Sequence, residues 1–473
     1  MNIENLVSKF KSGEISVIDY TKETLKAIKN DDTNSYISFN EEDALNRANE
    51  LNNKLKNGEE LGKLFGLPVA VKDNISYKNM RMTCASKMLE DFTPIYNATV
   101  VENLLKEDAI IVAKTNMDEF AMGASSKTSY FGLVKNNLDN ERIAGGSSSG
   151  SAVAVSKGDV LVSLGTDTGG SVRGPASYTN IIGYKPTYSL MSRYGVVSMA
   201  NTLDQVSLFA NNIEDLRTLA SVTSSPDSND MTAILEKYQY QIEGYDFSGK
   251  KIAVINPDSE LYEGIEEEVR ADYKLALDRL RNLGANLVEI DLEYAKFANP
   301  VYNVVMSSEV SSNMSRFDGI RYGHQTNDYD DLSELFIKSR SEGFGEEVQR
   351  RIALGTMYLS ASDDQRIYKK GLQLRTLIKE ELEEIFKEYD LIITPTTTNL
   401  PPKITDNEND PLSDFKADGF NVIVNLAGMC GISVPVREGI SGSVQFIGNR
   451  FEDNKIINAA DKFLREAKWI QKL

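Results

Sequence analysis

The sequence predicts an α/β fold with a buried sheet, and three observations carry that prediction. Short apolar, β-branched runs at 65–71, 109–113 and 160–164 are too brief for helices and read as buried strands. Segments with helical spacing, such as 100–105 and 151–156, alternate with them. Longer amphipathic stretches at 1–56, 264–283 and 368–387 supply covering helices.

Taken in order, residues 1–56 read as helices because Leu6, Phe10, Ile18, Thr21, Leu25 and Ile28 recur at near-helical spacing, with Ser16 as an N-cap. They form an N-terminal layer, about 1–60, expected to pack on the rest. The period changes at Leu64. FGLPVAV (65–71) is a strand, 100–105 a helix and 109–113 the next strand. SAVAVS (151–156) reads as a small-residue helix pressed on the sheet. VLVSL (160–164) is a central strand running into the turn GTDTGGS (165–171). Residues 213–249 are more polar, include SSPDSND, and read as a surface excursion rather than a domain boundary. Strands follow at 251–255, 285–290 and 391–393, an acidic loop at 406–414, and closing strands at 432–436 and 444–447. No internal repeat is evident, and one domain over 1–473 is expected.

Composition narrows the function. The chain has 473 residues, 41% hydrophobic and 26% charged, as in an ordinary soluble enzyme. A net charge of -18 argues against nucleic-acid binding as its main business, since phosphates need a basic face. Any nucleic acid is expected on a partner. Two distant cysteines, Cys84 and Cys430, make no disulfide framework and suit a reducing, cytoplasmic setting. With His324 the one histidine, no zinc-ligand spacing exists. Neither a signal peptide nor a membrane span is expected.

The chemistry concentrates in 143–185, a Gly- and Ser-rich stretch that nevertheless carries apolar, core-like runs. It suggests a hydroxyl-based active site held between buried elements. There is no P-loop and no dinucleotide fingerprint. GSSSG (146–150) fits G-x-S-x-G, but residues 137–142 before it are polar, which argues against a strand–elbow with Ser148 as nucleophile. A Ser-His-Asp triad would need His324, which sits in the polar, loop-like IRYGHQ. Lysine is the other base. Lys72 ends the apolar run 67–71 and could act if desolvated; the alternative is a lysine whose head reaches water. TGGS (168–171) could converge backbone N–H groups into an oxyanion hole, or be only a tight glycine turn.

Lys72 after its strand, GGSSSGS (145–151) and GTDTGGSVR (165–173) together resemble the amidase signature family. The resemblance implies a mixed central β-sheet covered on both faces by helices. It also implies a Ser–cis-Ser–Lys unit: Ser171 the acyl nucleophile, Ser147 the bridging serine, Lys72 the base. The N–H groups of Thr168, Gly169, Gly170 and Ser171 would hold the oxyanion. Within that family LPVAVKDNI, AKTNMDEFAMG, SSEVSSNMSRFDGIRYG, RRIALGT and VNLAGMCGISVP are similar to the glutamine-hydrolysing subunits of aspartyl/glutamyl-tRNA amidotransferases, from about residue 61 to 447.

That likeness implies that Tyr302, Arg351 and Asp418 bind glutamine, with Arg351 on the α-carboxylate and Asp418 on the α-ammonium. It implies no cofactor in this chain. ATP and Mg²⁺ would belong to a transferase/kinase partner (the B subunit) that acts on mischarged Glu-tRNA(Gln) or Asp-tRNA(Asn). A small third partner (the C subunit) would stabilise this chain. Three places depart from the usual pattern: Gly174 where Gln is usual, GASSKTS at 123–129, and SGSVQ at 441–445. They leave a stand-alone amidase for small amides as an alternative. A non-catalytic scaffold of the complex is the alternative of another class.

Overall fold

A computed structural model describes residues 1–360, 364–406 and 418–467. The chain opens with α1 (Ile3–Ser12) and α2 (Val17–Lys29), capped by the side chains of Asn2 and Ser16. Gly13, with φ 76°, ends α1 in the left-handed conformation that a Cβ disfavours. A short strand β1 (Tyr36–Ser38) precedes α3 (Glu41–Lys56). Next come β2 (Pro68–Lys72), α4 (Thr99–Lys106), β3 (Ile110–Thr115), α5 (Ser149–Ser156), β4 (Val162–Asp167) and α6 (Arg173–Tyr178). They are followed by β5 (Ile182–Lys185), β6 (Gln205–Ala210), α7 (Ile213–Thr223), β7 (Lys251–Ile255), α8 (Glu267–Asn282) and β8 (Asn286–Ile290). Four helices then run in succession: α9 (Ala298–Met314), α10 (Leu332–Gly343), α11 (Glu346–Tyr358) and α12 (Arg366–Ile385). β9 (Leu391–Pro395), α13 (Gly419–Ala427), β10 (Cys430–Pro435), β11 (Ser443–Gly448) and α14 (Asp453–Arg465) complete the described chain.

The strands join in one mixed sheet in the order β1-β3-β2-β4-β6-β5-β10-β11-β9-β7-β8. β2 runs parallel to β3 and β4, and β7 parallel to β8 and β9; the remaining pairs are antiparallel. Every residue of β2, β3, β4, β5, β6, β9, β10 and β11 is buried, whereas the edge strands β1 and β8 are partly exposed. A strand buried along its whole length has both faces covered, which is why these runs read as unbroken apolar stretches. The expected α/β class with a helix-covered mixed sheet is what is found.

Two expectations change. Residues 213–223 are not surface excursion but α7, which buries Leu216, Leu219 and Ala220 and is capped by Asn212. The polar tract beyond it hides an apolar helical face. The acidic loop falls, from residue 407 on, outside the described residues. No described helix is long and apolar enough to cross a membrane.

Two packing features position the site. β2 and β4 are parallel neighbours in a register that pairs Val71 with Leu164, so their C-terminal residues, Lys72 and Asp167, emerge at the same end of the sheet. That end is where α/β sheets present their chemistry. The second feature is the approach of α11 to α9. A Cβ on Gly355 would stand 1.9 Å from the Ser307 carbonyl oxygen, so only glycine allows the two backbones to meet there.

Candidate active site

Lys72 is fully buried at the end of β2. Its Nζ donates to Ser147 Oγ at 2.7 Å, Ser148 Oγ at 2.8 Å and Thr166 Oγ1 at 3.0 Å. All three are neutral oxygens, and Asn74 Nδ2 also donates to Thr166 Oγ1 at 3.1 Å. Burial pushes the Lys72 ammonium down to about 7, against the charges of Asp118, Asp167 and Asp204, which favour the protonated form. A lysine so placed can exchange a proton with a serine hydroxyl near neutral pH.

The segment carrying the two serines lies between β2 and β4. The Gly146–Ser147 peptide is cis. The Asp118 N–H donates to the Ser147 carbonyl at 3.3 Å. A Cβ on Gly146 would overlap the Asp118 carboxylate at 2.0 Å, so the close approach depends on glycine. Ser148, the middle residue of the G-x-S-x-G string, is fully buried and donates to the Thr166 carbonyl at 3.1 Å, so it is not presented to a substrate. His324 pairs with Glu342 (Nε2 to Oε2, 2.8 Å) and has no hydrogen bond to these serines.

Ser171 lies in the loop that follows β4. Its carbonyl accepts the Ser148 N–H at 3.1 Å, which ties the two serine segments together. Its own hydroxyl makes no hydrogen bond among the described residues, and the residue is 8% exposed, so the Oγ faces the site rather than the core. Asp167 shapes this loop, accepting from the N–H groups of Gly170 (2.9 Å), Val172 (3.2 Å) and Arg173 (3.4 Å). Burial alone would raise the Asp167 carboxyl. The Arg173 guanidinium, 2.9 Å away and itself buried, instead holds it well below the usual carboxylate range. The Gly170 N–H, expected among the oxyanion donors, is directed at Asp167 in this structure. The N–H groups of Thr168, Gly169 and Ser171 have no partner among the described residues.

Tyr302, Arg351 and Asp418 border the same loop. The Tyr302 ring rests on Gly169, where a Cβ would stand 2.6 Å from Cζ. Burial raises its phenol, with Arg351 opposing and Asp418 adding to the shift, so both charges are felt there. Arg351 is 5% exposed; its Nε donates to Glu347 Oε1 at 2.6 Å, one turn earlier on α11. Asp418 immediately precedes α13; its Oδ1 accepts from Asn421 Nδ2 at 3.1 Å and stands 2.6 Å from where a Gly170 Cβ would be. Among the described residues, a Gly174 Cβ would meet only that Asp418 oxygen, at 3.7 Å.

Sequence reasoning misses Ser148 as a partner of Lys72, and it misses Asp118, Asp167, Asp204 and Glu347. Asp167 and Arg173 bracket the Gly-Gly-Ser turn, and opposite charges six residues apart in an otherwise uncharged stretch are the available signal. Asp118 and Asp204 come from distant segments, and their polar neighbours Glu119 and Gln205 leave no local signal.

Both the sequence and the fold have counterparts among known proteins. The amidase family profile matches residues 19–457. The A subunit of the glutamyl-tRNA(Gln) amidotransferase of Thermoanaerobacter pseudethanolicus is 43% identical over 99% of this chain and 97% of its own length. That of a Geobacillus species is 44% identical over 98% and 96%. The crystal structure of the Thermotoga maritima A subunit superposes with a TM-score of 0.79 at 36% identity, covering 96% of this chain and 92% of that one. With the profile spanning most of its length and relatives this similar over nearly all of it, the chain belongs to the amidase family of enzymes.

Proposed function

We propose that this chain hydrolyses the side-chain amide of glutamine and supplies the ammonia to a tRNA-dependent amidotransferase. The observation that carries the reading is the buried Lys72 with Ser147 on its Nζ, in a segment that the Ser148 N–H ties to the Ser171 carbonyl. Ser171 Oγ attacks the glutamine Cδ. Its proton passes to Ser147, whose own proton passes to neutral Lys72. The N–H groups of Thr168, Gly169 and Ser171 stabilise the oxyanion. Lys72 returns a proton through Ser147 to the leaving nitrogen, the C–N bond breaks, and ammonia departs. Water then adds to the Ser171 ester while Lys72 takes its proton through Ser147; the Ser171 Oγ–Cδ bond breaks as Lys72 returns that proton to Ser171 Oγ, and glutamate leaves.

Arg351 takes the α-carboxylate and Asp418 the α-ammonium, with Tyr302 forming the wall between them and the glycine turn. The relatives are named as one lettered subunit of an amidotransferase, which supports a complex with a transferase/kinase partner and a small third partner. ATP and Mg²⁺ belong to the transferase/kinase partner, as does the mischarged Glu-tRNA(Gln) or Asp-tRNA(Asn). This chain's charge of -18 favours that division of labour. The setting is cytoplasmic. One domain over residues 1–473, with 1–60 as its helical layer, agrees with the single sheet.

The test is a pull-down of the tagged chain from its host, with glutamine hydrolysis assayed with and without mischarged tRNA. Recovery of two further subunits and tRNA-stimulated ammonia release is expected. A lone chain that hydrolyses many small amides and not glutamine would overturn the reading.

A further inference from the structure

The oxyanion loop is held from two sides. Asp167 holds its second half through Gly170, Val172 and Arg173. The first half contains Gly169, which has no side chain to anchor it, so its orientation depends on Thr168. The Thr168 hydroxyl donates to Asp204 Oδ1 at 2.7 Å, and the other Asp204 oxygen accepts the N–H groups of Met199 and Ala200 at 2.9 and 3.0 Å. Both partners are buried, Thr168 at 1% and Asp204 at 5% exposure. Asp204 thus links a turn at 199–204 to the loop that presents the unbonded Thr168 and Gly169 N–H groups.

The turn is itself fixed from outside. Glu309 on α9 accepts both the N–H and the hydroxyl of Thr202, at 2.9 and 2.5 Å. Asn313 on α9 donates to the Met199 carbonyl at 3.0 Å, and Arg375 on α12 donates to the Thr202 carbonyl at 2.8 Å. Helix α9 also carries Tyr302, whose ring lies on Gly169. The loop and the helix that faces it are therefore referenced to one polar strut.

We propose that Asp204 is a positioning residue for the oxyanion loop, acting through the Thr168 hydroxyl to aim the Thr168 and Gly169 N–H groups at the developing oxyanion. The inference rests on the proposed acyl-enzyme reading. Donors must be fixed in advance to stabilise a transition state, because reorienting them during reaction costs what they would contribute. Loss of the anchor should therefore act on kcat more than on KM.

The experiment compares Thr168→Val, Thr168→Ser, Asp204→Asn and the double variant Thr168→Val/Asp204→Asn, in the full chain with whatever subunits co-purify. Thr168→Val is close to isosteric and keeps the comparison readable should Asp204→Asn fail to fold. Removing one oxyanion donor outright typically costs about 10²–10³-fold in kcat, so misaiming should cost roughly 10–100-fold, with KM for glutamine within about threefold. Thr168→Ser, which keeps the hydroxyl, should return to within about threefold of wild type. The double variant should be no slower than the slower single one, because both remove the same contact. Wild-type kcat in folded Thr168→Val, or effects that multiply in the double variant, would overturn this inference alone. A wild-type protein that acylates no serine and hydrolyses no glutamine would overturn the acyl-enzyme reading and this inference with it.

Discussion

Lys72 Nζ lies 2.7 Å from Ser147 Oγ in a fully buried position where every oxygen it donates to is neutral. Nothing about stability requires a lysine there, since burying an ammonium without a directly bonded carboxylate is costly. The proposed use of Lys72 as a base would account for that cost, and it yields a prediction. Lys72→Met should lower glutamine hydrolysis by at least 10²–10⁴-fold, roughly the usual contribution of a positioned base. Lys72→Arg should not restore it, because guanidinium stays charged. Steady-state ammonia release checks both; substantial activity in the arginine variant would remove the base from the mechanism.

The pH dependence has a fixed sign. Burial brings Lys72 to about 7 from an ordinary value of 10.5. In the proposed mechanism the neutral form is the base, so kcat/KM should rise as pH increases through about 7 and level off above it. The same shift acts on stability. The unfolded chain binds this proton more tightly, so Lys72 penalises the fold fully below about 7, and the penalty fades as pH rises toward 10.5. Lys72→Met should therefore raise the melting temperature at pH 7 by more than at pH 10. An equal gain at both pH values would contradict the shift.

Much of this is legible in the sequence alone. A lysine at the end of an apolar run and two serine clusters among glycines stand out as residue types, because polar side chains leave a mark in an otherwise apolar or glycine-rich stretch. What is not legible lies in long-range contacts. Asp118 and Asp204 approach Lys72 from segments 46 and 132 positions away, and no local pattern marks a carboxylate as near a particular lysine. The direction of one peptide N–H, at Gly170, depends on Asp167 three residues earlier, whereas the glycine pattern alone reads as an anion donor. In the fold, α7 escapes notice because a polar tract follows it. The strand β5 escapes notice because IGYK is so short, and β6 because Gln205 and Ser207 interrupt its apolar run.

Recognition of the substrate termini should separate from chemistry. Arg351 is held by Glu347 through its Nε, which fixes the plane of the guanidinium. Arg351→Lys loses that bidentate fork, and a charge-assisted contact is worth about 1.5–3 kcal/mol. KM for glutamine should rise roughly 10–100-fold with a much smaller change in kcat. A substrate lacking the α-carboxylate should react equally with wild type and variant. Equal sensitivity of both substrates would place Arg351 in structure rather than recognition.

Glu119 offers a test of fold energetics next to the site. It accepts from the Ser86 hydroxyl at 2.5 Å and from the Gly345 N–H at 2.9 Å, ahead of the first turn of α11, the helix that carries Arg351. Burial raises its carboxyl to about 7 from 4.5, with the Ser86 and Gly345 bonds opposing. A raised carboxyl contributes stability fully below about 4.5 and loses it as pH climbs through about 7. Glu119→Gln removes that slope. Its melting temperature relative to wild type should become more favourable from pH 5 to pH 8; a constant offset would show that Glu119 does not titrate in this range.

Gly169 should be intolerant of even one methyl group. A Cβ there would stand 2.6 Å from Tyr302 Cζ and 2.7 Å from its hydroxyl oxygen, well inside contact distance. Tyr302 cannot easily retreat, because α9 meets α11 backbone to backbone at Ser307 and Gly355. Either the ring or the loop must move. Overpacking of this kind costs about 1–3 kcal/mol, and a shifted loop also misplaces the Gly169 N–H. Gly169→Ala should therefore lower both the melting temperature and kcat/KM, the latter by about tenfold or more. Adding Tyr302→Phe, which removes the hydroxyl side of the clash, should recover part of the stability. If the double variant melts no higher than Gly169→Ala, the contact with Tyr302 is not what makes glycine necessary.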